Sequence, residues 1–142
     1  MQVSANQDDI CMMHLVTELT FSKYQMERLC LAHCYFHDRG MKILSDKLRS
    51  TQIRYLNISW CRITSASVIE LCRFLKTNLK LEKCLLQHNE IGEEHSIKQI
   101  ASAITDHPNL KYLDISATNV QSESFELLIN LQSKDKLKLE NL

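Results

Sequence analysis

Glycine and proline are almost missing from this sequence: 142 residues hold two glycines and one proline. So few breakers leave little room for flexible linkers, and no Ser/Gly-rich or single-sign charged stretch marks a boundary between domains. Net charge is missing as well, since 17 basic residues balance 17 acidic ones. No general field therefore draws the chain to nucleic acid or to an anionic membrane. Long hydrophobic runs are absent too. The first apolar stretch is interrupted by His14 and Glu18 and lacks the basic flank of a secretory leader, and no run approaches the length of a membrane span. The expectation is one cytoplasmic domain over 1–142, since a domain takes about 150 residues. Neither nucleic acid nor membrane is expected as a partner.

Catalytic patterns are equally scarce. There is no Gly-x-Ser-x-Gly elbow, no His-Glu-x-x-His, no Gly-rich phosphate loop and no carboxylate pair isolated in an apolar run. The chain reads as a non-enzyme with no cofactor. Asn57-Ile58-Ser59 matches a glycosylation acceptor formally, but it falls in an expected strand without a secretory context.

What the sequence does contain is a spacing of aliphatic residues that recurs. It runs Leu29, Leu31, Cys34, Phe36, then Ile53, Leu56, Ile58, Cys61, Ile63, then Leu81, Cys84, Leu86, Asn89, Ile91, then Leu110, Leu113, Ile115, Thr118, Val120. Leu29 to Leu56 is 27 residues, Leu56 to Cys84 is 28 and Cys84 to Leu113 is 29. Leu137, Leu139 and Leu142 begin a partial fifth copy at 134–142, only 24 residues on from Leu113 to Leu137. Periods of this length mean a solenoid of strand and helix units, with space for a full helix after each strand. Helical stripes fill those spaces: Met41, Leu44, Leu48; Val68, Ile69, Leu71, Cys72, Phe74, Leu75; Ile97, Ile100, Ala101, Ile104; and Phe125, Leu128, Leu131. Ser67-x-x-Glu70 reads as a capping box at the start of the second stripe. Ile10, Met12, Met13, Leu15, Val16 and Leu19 predict a capping helix within 1–20, which would cover the first repeat.

These residues resemble the leucine-rich repeats of the ribonuclease-inhibitor-like type, the helical type also found in NOD-like receptors. The likeness covers about residues 20–142, and Leu110-Lys-Tyr-Leu-Asp-Ile-Ser-Ala-Thr-Asn-Val after His107-Pro-Asn follows the family's phrasing closely. Where the family often has glycine four residues beyond the last strand-loop aliphatic, this chain has Gly40, Ser67, His95 and Ser124. The resemblance implies an α/β horseshoe, right-handed, with parallel strands on its concave face and helices on its convex face. It names no ligand.

Six cysteines and six histidines raise the question of a metal, above all at Cys30, His33, Cys34 and His37. The repeat frame turns Cys34 and Cys61 inward, where the side chain can bond the loop backbone, puts Cys84 inside its strand and places Cys72 on a helical stripe. Strand alternation points Cys30 and His33 away from Cys34, so four ligands do not converge. Neither metal nor disulfide is expected, and the thiols read as small buried hydrophobes.

Residues between the inward aliphatics must line up across repeats on the concave face. One column is Arg28, Tyr55, Lys83, Tyr112, Lys136; the next Cys30, Asn57, Leu85, Asp114, Lys138. The third is Ala32, Ser59, Gln87, Ser116, Glu140, and the fourth His33, Trp60, His88, Ala117, Asn141. Tyrosine, tryptophan and arginine anchor many protein interfaces. The residues expected to touch a partner are therefore Arg28, Tyr55, Trp60, Lys83, His88, Tyr112 and Asp114, and their mix suits a peptide or protein surface bearing carboxylates. The plainer alternative is that Trp60 merely packs between His33 and His88. A further reading is a structural piece of a larger repeat array, self-associating through an open C-terminal strand unless Lys134, Lys136 and Lys138 keep that edge soluble.

Overall fold

The computed structural model describes residues 26–49 and 51–133, together with His14 and Glu18. The capping helix expected over 1–20 and the partial fifth repeat expected at 134–142 lie outside the described residues, those two positions excepted. Strand and helix alternate: β1 (Arg28–Cys30), α1 (His37–Lys47), β2 (Tyr55–Asn57), α2 (Val68–Thr77), β3 (Lys83–Leu85), α3 (Glu94–Ile104), β4 (Tyr112–Asp114) and α4 (Ser122–Ser133). A short 3₁₀ turn, Ser65–Ser67, leads into α2. The strands form one parallel sheet in chain order, with Leu29, Leu56, Cys84 and Leu113 abreast. The steps of 27, 28 and 29 residues are thus each one strand step.

The core lies between the sheet and the helices. Leu29, Leu31, Leu56, Ile58, Cys84, Leu86 and Leu113 enter it from the strand side, and Met41, Leu44, Leu71, Leu75, Ile97, Ile100 and Leu128 from the helical side. A three-residue strand cannot bury enough surface to stand alone, so each repeat leans on its neighbours: α1 packs on α2, α2 on α3 and α3 on α4. The inward loop position holds Cys34, Cys61, Asn89 and Thr118 in turn. Asn89 Oδ1 accepts from the backbone amides of Cys61 and Ile63, both at 3.1 Å, and its Nδ2 donates to the carbonyls of Ile58 at 2.9 Å and Leu86 at 2.8 Å. Cys61 Sγ donates back to Leu31 O at 3.1 Å. Burial pushes the thiols of Cys61 and Cys84 up to about 12 and that of Cys72 up to about 11, so all three stay protonated and inert at neutral pH.

Three local expectations need correction. Ser67 does not cap α2 with its hydroxyl. That hydroxyl instead donates to Asp38 of the previous repeat at 2.6 Å, while Thr64 accepts from Ala66 N and caps the preceding 3₁₀ turn. Secondly, the buried small side chain that follows Gly40 and Ser67 is Ser96, not His95, which is exposed: the third repeat carries one extra residue ahead of its helix. Thirdly, two residues of the expected stripes face outward: Ile69 is 59% and Phe125 41% exposed, although Leu71 and Leu128 on the same helices are buried.

Two polar groups, the half-buried Asp38 and the buried His107, join successive repeats and make stability depend on pH. Asp38 accepts from Thr64 N and Thr64 Oγ1, each at 2.7 Å, as well as from Ser67. Burial opposes its charge, yet these bonds outweigh burial and hold its pKa below the usual 3.8. His107 Nδ1 accepts from Leu110 N at 3.0 Å, and its Nε2 lies 3.3 Å from Asn78 O, an arrangement that suits the neutral ring. Burial lowers its pKa from 6.5 despite that carbonyl. An unfolded chain therefore takes up the histidine proton first. Stability should be full above pH 6.5, decline as pH falls through and below that value, and decline again below 3.8 as Asp38 is protonated. Urea midpoints between pH 7.5 and 3 check this, and His107→Asn, which copies the residue Asn78 at the same place one repeat earlier, should remove only the upper step.

Candidate functional site

The outer side of the sheet is built in bands that cross the strands. The first band is Arg28, Tyr55, Lys83 and Tyr112, brought abreast by the strand register. The Arg28 guanidinium lies 4.3 Å from the centre of the Tyr55 ring, and Lys83 Nζ lies 4.1 Å from that of Tyr112. Each cation is steadied by a ring face rather than by a carboxylate. Among the described residues the acids nearby are spent elsewhere: Glu82 pairs with Arg54, and neither Arg28 nor Lys83 forms an ion pair.

A polar band follows. Ser59 Oγ donates to Gln87 Oε1 at 2.8 Å, and Gln87 Nε2 donates to Asp114 Oδ2 at 2.6 Å. Asp114 Oδ1 accepts from Ser116 N at 2.9 Å and from the Ser116 hydroxyl. Asp114, expected at a partner contact, thus has both oxygens engaged within the sheet. Asn57 Oδ1 accepts from Ser59 N at 3.0 Å, an internal use of the formal glycosylation asparagine.

The last band is His33, Trp60, His88 and Ala117, where the chain leaves each strand. All four have left-handed backbone, with φ of 62, 58, 56 and 54°. Histidine tolerates this region better than most residues, whereas a bulky tryptophan there is strained, at a cost of about 1–2 kcal/mol. The turn lays the rings flat across neighbouring repeats. Trp60 stacks on His88 at 3.8 Å between centroids and 18° between planes, and on His33 at 5.4 Å and 16°. Trp60 remains 42% exposed at its edge.

The seven sequence-predicted residues therefore fall in separate bands: Arg28, Tyr55, Lys83 and Tyr112 in the first, Asp114 in the second, Trp60 and His88 in the third. His33, Ser59 and Gln87 complete those bands, and their column positions carried that information. Among the described residues no three His, Cys, Asp or Glu side chains gather as a metal site. No helix among them is long and apolar enough to cross a membrane.

Comparison with known proteins bears on this architecture. A leucine-rich repeat family model matches residues 49–72, from the end of the first repeat through β2 into α2. The solved structure of leiomodin-1 actin-binding site 2 superposes with a TM-score of 0.76 at 18% identity, covering 94% of this chain and 79% of that one. The fold is a leucine-rich-repeat solenoid. Its helical side differs in kind from the banded sheet: Lys98 pairs with Glu94 one turn away, and Arg73 lies 2.8 Å from Glu70 on its own helix and 3.4 Å from Asp46 of the previous repeat, so cations here are matched by carboxylates. Tyr35, outside the three bands, meets the His33 ring edge-on at 6.4 Å between centroids and lies under the Arg62 guanidinium at 4.8 Å, which continues the aromatic edge.

Proposed function

We propose that this leucine-rich-repeat solenoid is a protein-interaction module that holds a protein or peptide partner across the outer, concave face of its sheet. The observation that carries the reading is the pair of aromatic bands flanking a self-satisfied polar strip. Tyr55, Tyr112 and Trp60 offer apolar area with polar tips, and Arg28 and Lys83 offer unneutralised charge for partner carboxylates. Leiomodin-1 actin-binding site 2, whose name records a protein partner, lends support as a neighbour in fold. The full helix in every repeat favours the ribonuclease-inhibitor-like subtype, and the tightly buried thiols of Cys61 and Cys84 suit the reducing cytoplasm. Binding by surface complementarity, without covalent chemistry, is the activity these residues support.

The test is affinity capture from a lysate with the wild-type chain and a Tyr55→Ala/Trp60→Ala/Tyr112→Ala variant, both checked for fold by circular dichroism. Loss of three such anchors should weaken the captured partner by a factor of at least about 30, the equivalent of one 2 kcal/mol hot spot. A folded variant that retains the partner at wild-type affinity defeats the reading.

One observation favours a second reading, in which the chain is an assembly piece of a longer array. Phe125 and Ile129 on α4 are 41% and 47% exposed, while their counterparts Val68 and Cys72 on α2, and Ile97 and Ala101 on α3, are buried beneath the next repeat. Concentration-dependent sedimentation that Phe125→Glu/Ile129→Lys abolishes would support it.

A further inference from the structure

The stack His33, Trp60, His88 ends because the next repeat places Ala117 where a ring would continue it. Everything else at that position repeats. Ala117 has the same left-handed backbone as the three ring residues, with φ of 54°, and it is exposed. His88 has one ring face against Trp60 at 3.8 Å and is exposed, and Ala117, its equivalent in the next repeat, supplies only a methyl group. Neighbouring parallel strands lie about 4.8 Å apart, so the step beyond His88 is one ring thick, with an imidazole as wall and a methyl as floor.

Resting on the reading of the sheet face as a partner surface, we infer that this gap is the seat for one flat aromatic side chain of the partner, which completes the column as its fourth ring. Three features select an aromatic group. Offset stacking on a ring already held flat by Trp60 demands a planar occupant, and a preformed platform spares the ordering cost of building one. A guanidinium is also planar, but the nearest strand carboxylate, Asp114, already has both oxygens occupied by Gln87 and Ser116. Lys83 and Arg28, in the first band, add positive charge to the same face and disfavour a second cation.

The probes are N-acetyl-tryptophanamide, N-acetyl-leucinamide and N-acetyl-argininamide, titrated into isotope-labelled chain and followed by NMR. The tryptophan amide should move the Ala117 methyl upfield by ring current and shift the His88 ring protons, saturably, and the leucine amide should not. Two variants localise the effect, each copying a residue that another repeat carries in the same left-handed backbone: Trp60 for Ala117, and Ala117 for His88. Ala117→Trp fills the gap from within and should abolish the shift at His88. His88→Ala removes the wall and should abolish the shift at Ala117. Equal response to the leucine amide, a stronger response to the arginine amide, no saturable shift, or an undiminished shift in folded Ala117→Trp would each overturn the assignment. Because the probes need no natural partner, failure here leaves the lysate capture free to succeed, and the two readings fall separately.

Discussion

Replacing Asn89 by alanine is expected to cost about 4 kcal/mol of stability, roughly 1 kcal/mol for each of four buried hydrogen bonds. The side chain is one of the few that reach two repeats at once. Its amide oxygen serves Cys61 and Ile63 in the second repeat, and its amide nitrogen serves Ile58 there and Leu86 in its own. Truncation strands two backbone amides and two carbonyls away from water, and no neighbour is placed to take them. Thr118→Val, at the same place one repeat later, removes a single 2.6 Å bond to Ile115 O and should cost only about 1 kcal/mol. Equilibrium urea unfolding checks both numbers. The site also sits at a joint, so the alanine variant should unfold in a broadened transition as the second and third repeats come apart.

Gly92→Ala should be nearly as damaging, at about 3 kcal/mol, through overpacking. A methyl group there would lie 2.2 Å from the carbonyl carbon of Asn119 and 2.3 Å from Thr118 O. Those obstacles are backbone atoms of the next repeat, and Asn119 is itself fixed in left-handed backbone with φ of 62°. Neither side can yield without prising the third and fourth repeats apart. Gly40→Ala should cost less, because its methyl would meet the Phe36 side chain, at 2.5 Å, rather than the backbone of another repeat. Thermal denaturation of both variants should rank them in that order, and an unchanged midpoint for Gly92→Ala would contradict the close approach.

The register of the four described strands was readable from aliphatic spacing, because a parallel solenoid places residues one period apart side by side. What one period does not encode is which neighbour a polar side chain chooses. Ser67 looked like a local cap, yet Asp38, 29 residues earlier, takes its hydroxyl. Counting four residues from Ile91 put His95 at the family's glycine position, but the third repeat's extra residue shifts the frame by one and leaves Ser96 inside. The left-handed turn at His33, Trp60, His88 and Ala117 was hidden as well, since none of these is the glycine or asparagine that normally advertises it. Nor could spacing tell that Asp114 spends its charge on Gln87 and Ser116 while Lys83 keeps its own over a ring.

Because the main helix and strand contacts among the described residues run from each repeat to the next in line, the solenoid behaves as a row of hinged plates. An occupant lying along Arg28, Tyr55, Lys83 and Tyr112 would bridge the three hinges between these four repeats at once and act as a splint along the row.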